Sequence, residues 1–132
     1  MSESKCFIKS VDLHPTGFSL DIFVAKTYDG MKAEIMKRYS LNEKDAEYYI
    51  ETESWAGYIN HPKLGTRLVV SIQENGHPKL IAHEAYHLLR LLCRLTKSTM
   101  SVIAEEWQAM QHEYIFGLIY DAIEADKKRN AK

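Results

Sequence analysis

The chain has 132 residues, 45% of them hydrophobic, which suits one domain over residues 1–132 with an apolar core. Its 17 basic and 18 acidic residues give a net charge of −1, without the basic excess of proteins that bind nucleic acid or anionic lipid. No apolar run reaches the length of a signal peptide or a membrane span, which predicts a cytoplasmic protein with no nucleic-acid or membrane partner. A basic tail is expected at about residues 126–132.

Strand and helix patterns follow one another along the chain. Residues 18–24 are rich in Phe, Ile and Val and predict a strand, after which Asp29 is expected to cap a helix ending near Ser40. Residues 46–60 favour one or two strands, with a strand through 55–59. A turn then leads into a strong strand at 66–73.

Two helices are expected to complete the chain. Asn75-Gly76-His77-Pro78 reads as a turn with a proline at the first helical position, and the apolar pattern after it predicts a helix to about Leu95. The second helix contains the segment AEEWQAMQHEY and an apolar terminal stretch. Strands, a helix, a short antiparallel strand pair and two helices together predict an α+β fold.

The most informative segment is residues 83–87, which read HEAYH. On a helix, residues four apart lie on one face, so His83 and His87 can direct both imidazoles at one zinc ion. Glu84 lies one step round the helix, where it can take a proton from a water molecule that the metal activates. The spacing therefore predicts a single Zn²⁺ held by the two histidines, with Glu84 as general base.

A zinc site of this kind needs a third protein ligand, and two routes to it are open. Cys93 lies where a third ligand on the same stretch would fall, but Arg90 replaces the glycine that would turn the chain, so the helix is expected to continue. The second route is a glutamate of the next helix. Glu106 is favoured over Glu105, because Ala109 and its other neighbours at helical spacing form an apolar face expected to point inward.

The motif His83-Glu84-x-x-His87, followed by Glu106-x-x-Ala109, resembles the gluzincin signature of zinc metallopeptidases. From about residue 55 to 120, the runs HPKLIAHEAYHLL and EEWQAM also resemble small zincin-like proteins encoded in phage and prophage genomes. The resemblance implies a minimal zincin-like domain: a small antiparallel or mixed sheet, a supporting helix, a metal helix and a long C-terminal helix. It also implies a zinc-dependent hydrolase of peptide bonds that acts on a protein or peptide substrate.

The resemblance further implies that the strand over residues 68–72 borders the cleft, where an exposed edge takes an extended peptide. The residue that stabilises the oxyanion is not identified by the signature. His112 and Tyr114 are candidate transition-state or cleft residues, and Tyr58 and Tyr86 are further candidates.

Other interpretations of the same residues remain open. The same residues also fit a non-catalytic, zinc-stabilised protein-binding module of phage origin, or a metal-free helical interaction module in which HEAYH is fortuitous. Cys6 and Cys93 lack CxxC spacing and are expected to be reduced packing residues. Substrate, cleavage specificity and oligomeric state are not indicated by the sequence.

Overall fold

Strands and helices alternate around a four-stranded sheet in the computed structural model of the chain. The structure describes residues 6–13, 17–50, 54–74, 77–96 and 102–130, with side chains described from Trp107 onward in the last helix. The elements are β1 (Cys6–Leu13), β2 (Phe18–Ala25), α1 (Tyr28–Tyr39), α2 (Glu43–Glu47) with a 3₁₀ turn at Tyr48–Ile50, β3 (Ser54–His61), β4 (Gly65–Gln73), α3 (Pro78–Leu95) and α4 (Val102–Asn130).

The sheet is mixed and has the strand order β1-β2-β4-β3. Strands β1 and β2 are antiparallel, β2 and β4 are parallel, and β3 and β4 are antiparallel. The expectation that residues 68–72 offer an exposed edge is therefore wrong, because β4 is hydrogen-bonded on both sides. Among the described residues, β3 is the edge strand next to β4, with a partner on one side only.

Helices cover both faces of the sheet, because apolar side chains alternate along its strands. On one face, Leu20, Leu68 and Val70 pack with Ala85 and Leu88 of α3 and with a group from α4. That α4 group comprises Ile115, Ile119, Ala122 and Ile123. On the other face, residues of α1 and the segment after it pack against the sheet, namely Met31, Ile35, Tyr39, Ala46 and Ile50. The α+β class and the long C-terminal helix are confirmed.

Four local expectations need correction. Residues 46–50 are helical rather than extended, because Asn42 caps α2 and Ala46 and Ile50 are buried one turn apart. Thr27, not Asp29, caps α1 by accepting a hydrogen bond from the Gly30 amide. Strand β1 was not predicted. The basic residues expected in a tail belong to the last turn of α4, which continues to Asn130.

A buried carboxylate ties β2, β4 and α1 together. Asp21 is fully buried and accepts hydrogen bonds from Arg38, Tyr39, Arg67 and Ser10. Burial disfavours the ionised carboxylate, but hydrogen bonds, led by that from Arg67, prevail and lower the pKa of Asp21 to about 2. The network fixes β4, the strand from which the chain enters α3.

The described helices differ in length from 5 to 29 residues. None of those described combines the length and the apolar character that crossing a membrane requires. Both cysteines are buried, and neither of these two described residues forms a disulfide bond, as expected. Burial raises the pKa of Cys6 to about 12 and also raises that of Cys93.

Candidate metal centre

Helix α3 begins as the sequence predicts and presents its histidines to solvent. His77 precedes the first turn, where its Nδ1 accepts a hydrogen bond from the Lys79 amide, and Pro78 occupies the start of the helix. Helical spacing then brings His83 and His87 to one exposed face. Their Nε2 atoms lie 3.1 Å apart, and their ring planes are 85° from parallel.

The approach of the two Nε2 atoms fits a shared metal ion. Zinc–nitrogen distances of about 2.0–2.1 Å and tetrahedral geometry place two ligating nitrogens about 3.3 Å apart. The same contact also fits a hydrogen bond in which one imidazole donates and the other accepts. Two histidines alone fit both a metal site and a hydrogen-bonded pair. The side chains around them therefore decide whether further metal ligands are present.

Glu84 is the third member of this cluster. The ligand atoms of His83, Glu84 and His87 all lie within 4.8 Å of one another. Unlike the exposed histidines, Glu84 is only 4% exposed and faces β3, where the Ser54 hydroxyl donates a 2.5 Å hydrogen bond to its Oε2. Three side chains from one helix therefore converge, and the edge strand holds the carboxylate among them.

The proposed third ligand lies in α4, but its side chain is outside the described part of the chain. Residues 102–106 belong to the first turns of α4, and the side chains of Glu105 and Glu106 are not described. The reason for favouring Glu106 is wrong, however, because Ala109 is exposed and Met110 is 61% exposed. Both glutamates therefore remain candidates for the third ligand.

The inward face of α4 is set by other residues. Among its described side chains, Gln108, Ile115 and Ile119 are buried, and His112 is half-buried. Position 105 lies three residues before Gln108 and seven before His112, so it is on the same side of α4 as both. Cys93 is packed in the apolar core and lies outside the His83–Glu84–His87 cluster.

The four candidates for oxyanion stabilisation fall in different places. The Nε2 atom of His112 lies 3.3 Å from the Ala82 carbonyl oxygen, and the His112 ring contacts that of Tyr86. His112 of α4 therefore packs against α3. Tyr114 is exposed and lies two positions, about 200°, further round α4 than His112. Tyr58 projects from β3 and lines a cleft together with His87. Tyr58 therefore shares a cleft with His87, and Tyr86 lies within the motif itself.

The cleft lies between β3 and the second half of α3 and has a volume of about 290 Å³. Its strand side is formed by Trp55, Ala56, Gly57 and Tyr58, and its helix side includes His87, Arg90 and Arg94. Gly57 is required beneath the Trp55 indole, because a Cβ atom there would overlap the ring. An open cleft thus lies beside His87, between the edge strand and the helix.

Two features of the site were missed in the sequence. Ser54 carries no local signal, because its role depends on β3 packing over α3, 30 residues further along. Arg90 and Arg94 could have been recognised from the sequence, because they follow His87 by three and seven positions and so lie on the same helix face.

Comparison of the chain with protein-family models, with curated proteins and with solved structures finds no match. The interpretation of the site therefore rests on its residues and geometry. The likeness of its motif to the gluzincin signature stays a prediction.

Proposed function

We propose that this protein is a zinc-dependent metallopeptidase of a small zincin-like type. The observation that carries the proposal is the convergence of His83, His87 and Glu84 beside the open edge of β3. Two exposed imidazoles with nitrogen atoms 3.1 Å apart suit one zinc ion, and a carboxylate lies within 4.8 Å of both. A glutamate of α4, Glu105 or Glu106, completes the ligand set in this proposal.

The metal ligands and Glu84 have different roles in the proposed hydrolysis of a peptide bond. A zinc ion held there would polarise the carbonyl group of a peptide bond and acidify a water molecule. Glu84 removes the proton from that water and delivers it to the nitrogen of the leaving amine. Ser54 takes up one acceptor site on Oε2 of Glu84, and the carboxylate keeps further acceptor sites for this transfer.

The edge strand supplies the binding surface for substrate. An extended peptide can add to the free edge of β3 through main-chain hydrogen bonds and so lie across the histidine pair. Tyr58 lies in the same cleft as His87 and is 43% exposed, so its hydroxyl is free to donate to the developing oxyanion. This arrangement assigns substrate binding to β3, where the sequence had indicated β4.

A second function has one observation in its favour. Glu84 is almost fully buried and already hydrogen-bonded, as a structural carboxylate would be. The protein would then use zinc to stabilise its helices and would bind a partner protein without cleaving it. In that case zinc raises the melting temperature of the wild type and of Glu84→Gln, and neither cleaves a peptide.

The deciding experiment incubates the zinc-loaded protein with a mixture of peptides from a digested proteome and identifies new termini by mass spectrometry. The peptidase proposal predicts new termini with the wild type and none above background with Glu84→Gln. Glu113→Gln is the matched control, because it neutralises an exposed glutamate of α4. Equal products from wild type and Glu84→Gln contradict the proposal.

A further inference from the structure

Two arginines extend the helix side of the cleft beyond the histidine pair. Arg90 and Arg94 lie three and seven positions after His87, so all three side chains share one face of α3. Both arginines are exposed, and both line the 290 Å³ cleft. The cleft is thus cationic along the wall opposite β3.

The other arginines of the chain have acidic partners. Of the five, Arg38 and Arg67 pair with Asp21, and Arg129 pairs with Asp126. Arg90 and Arg94 form no ion pair or hydrogen bond with any of the described residues, and no carboxylate among those residues lines the cleft. Their charge is also not part of a general basic excess, since the net charge is −1. Two guanidinium groups therefore line the cleft without an acidic partner from the described part of the chain.

The spacing of the two arginines matches an extended peptide. With a rise of about 1.5 Å per residue, positions 90 and 94 are about 6 Å apart along the axis of α3. Alternate residues of a strand point to the same face and are separated by about 6.6–6.8 Å. A peptide paired with β3 would therefore place every second side chain on the cleft side, at nearly the axial interval of positions 90 and 94.

We propose that Arg90 and Arg94 form an acidic-side-chain subsite that selects peptides with Asp or Glu at two alternate positions on one side of the bond to be cleaved. The role of this subsite in selecting substrates rests on the proposed peptidase function, but its binding preference can be measured without catalysis. Guanidinium groups suit this role because they form paired hydrogen bonds with carboxylates.

The test measures binding of fluorescein-labelled, Ala/Thr-based decapeptides to zinc-loaded Glu84→Gln protein by fluorescence anisotropy. One peptide carries Glu at positions i and i+2, a second carries Glu at i and i+1, and a third carries Gln at i and i+2. The expected order of affinity is alternate Glu, adjacent Glu, Gln. Each Arg→Gln change on this background should weaken binding of the alternate-Glu peptide about fivefold, the upper range for an exposed ion pair.

Matched variants separate charge from structure. Arg90→Lys/Arg94→Lys should retain only part of the preference, because lysine keeps the charge but not the paired hydrogen bonds. Lys128→Gln, which removes an exposed charge at the far end of α4, should leave the preference unchanged. Equal affinity for alternate-Glu and Gln peptides, or a preference that survives Arg90→Gln/Arg94→Gln, overturns the proposal.

Cleavage by the wild type then distinguishes the two proposals. Cleavage without any preference for acidic side chains refutes the subsite and leaves the peptidase function standing. An arginine-dependent preference in binding, with no cleavage of any peptide, supports the subsite and refutes the peptidase function.

Discussion

Ser54 of β3 donates a 2.5 Å hydrogen bond to the carboxylate of Glu84 on α3. The contact joins the edge strand to the helix that carries the histidine pair, and both partners are buried. In the peptidase proposal Ser54 is a positioning residue, because it orients the general base without touching the substrate. The strand that would bind the peptide thereby also orients the group that would cleave it.

Replacing Ser54 by Ala is expected to lower kcat about tenfold with little change in KM or in zinc content, because Glu84 loses its orientation. Ser54→Thr keeps the hydroxyl and should restore most of the activity. Ser71→Ala is the matched control, since Ser71 is a buried residue of the neighbouring strand β4 whose hydroxyl donates a 2.6 Å hydrogen bond to the Tyr49 carbonyl oxygen. Both Ala variants should lose about 1 kcal/mol of stability. An equal loss of kcat in both contradicts the positioning role.

Glu84→Gln is expected to lower peptide cleavage by a factor of about a hundred or more, because the amide cannot accept the proton from water. Zinc content and fold should be retained, since the two histidines are unchanged. The measurement compares kcat with zinc per chain in the same preparations. Cleavage at the wild-type rate would show that Glu84 is not the base.

Glu105→Gln and Glu106→Gln test which residue of α4 completes the zinc site. Loss of the true ligand should weaken zinc binding by more than about a hundredfold, beyond the effect typical of replacing a residue that only hydrogen-bonds to a ligand. The other variant should bind zinc as the wild type does, which makes the pair its own control. Competition with a chromophoric chelator gives both affinities. Unchanged affinity in both variants excludes these two glutamates as ligands.

Asp21→Asn is expected to reduce the free energy of unfolding by about 2 kcal/mol near pH 7. The folded-state pKa of Asp21 is about 2, below its value of 3.8 in the absence of these contacts. The stabilisation is therefore complete above the unfolded pKa and is lost as the pH falls toward about 2. Urea unfolding at several pH values should show wild type and variant converging on acidification.

Asp12→Asn is the control for this series, because Asp12 is exposed and accepts its hydrogen bond from Ser19 at the surface. It should change stability little at any pH. A difference between Asp21→Asn and wild type that does not shrink on acidification would contradict the assigned pKa.

The motif helix was predictable because its signals are local. His77, Pro78 and the apolar spacing up to Leu95 define α3, and the four-residue separation of His83 and His87 places them on one face. The strands at 18–24, 55–59 and 66–73 also carry their own patterns and are confirmed. The first and third are one residue longer than predicted, and the second is longer by one residue at its start and two at its end. These features need no knowledge of distant parts of the chain.

What escaped prediction depends on contacts between distant segments. The order of strands puts β3 at the edge, and pairing partners are set by packing that no single segment encodes. Tyr48 and Tyr49 resemble strand residues, but capping by Asn42 and burial of Ala46 make that segment helical. The inward face of α4 was misread for a related reason: Ala109 and Met110 are apolar but exposed, whereas Gln108 is buried.

The central claim is that His83 and His87 hold zinc, and elemental analysis of the purified protein tests it most directly. Wild type, His83→Ala, His87→Ala and His61→Ala are purified in the presence of zinc and measured together. His61 serves as control because it is the last residue of β3, away from α3, and its Nδ1 accepts hydrogen bonds from the Lys63 and Leu64 amides of the turn into β4. The account predicts one zinc per chain in the wild type and in His61→Ala, with zinc lost in both variants of α3. Wild-type protein without zinc, or full retention of zinc in His83→Ala, would contradict it.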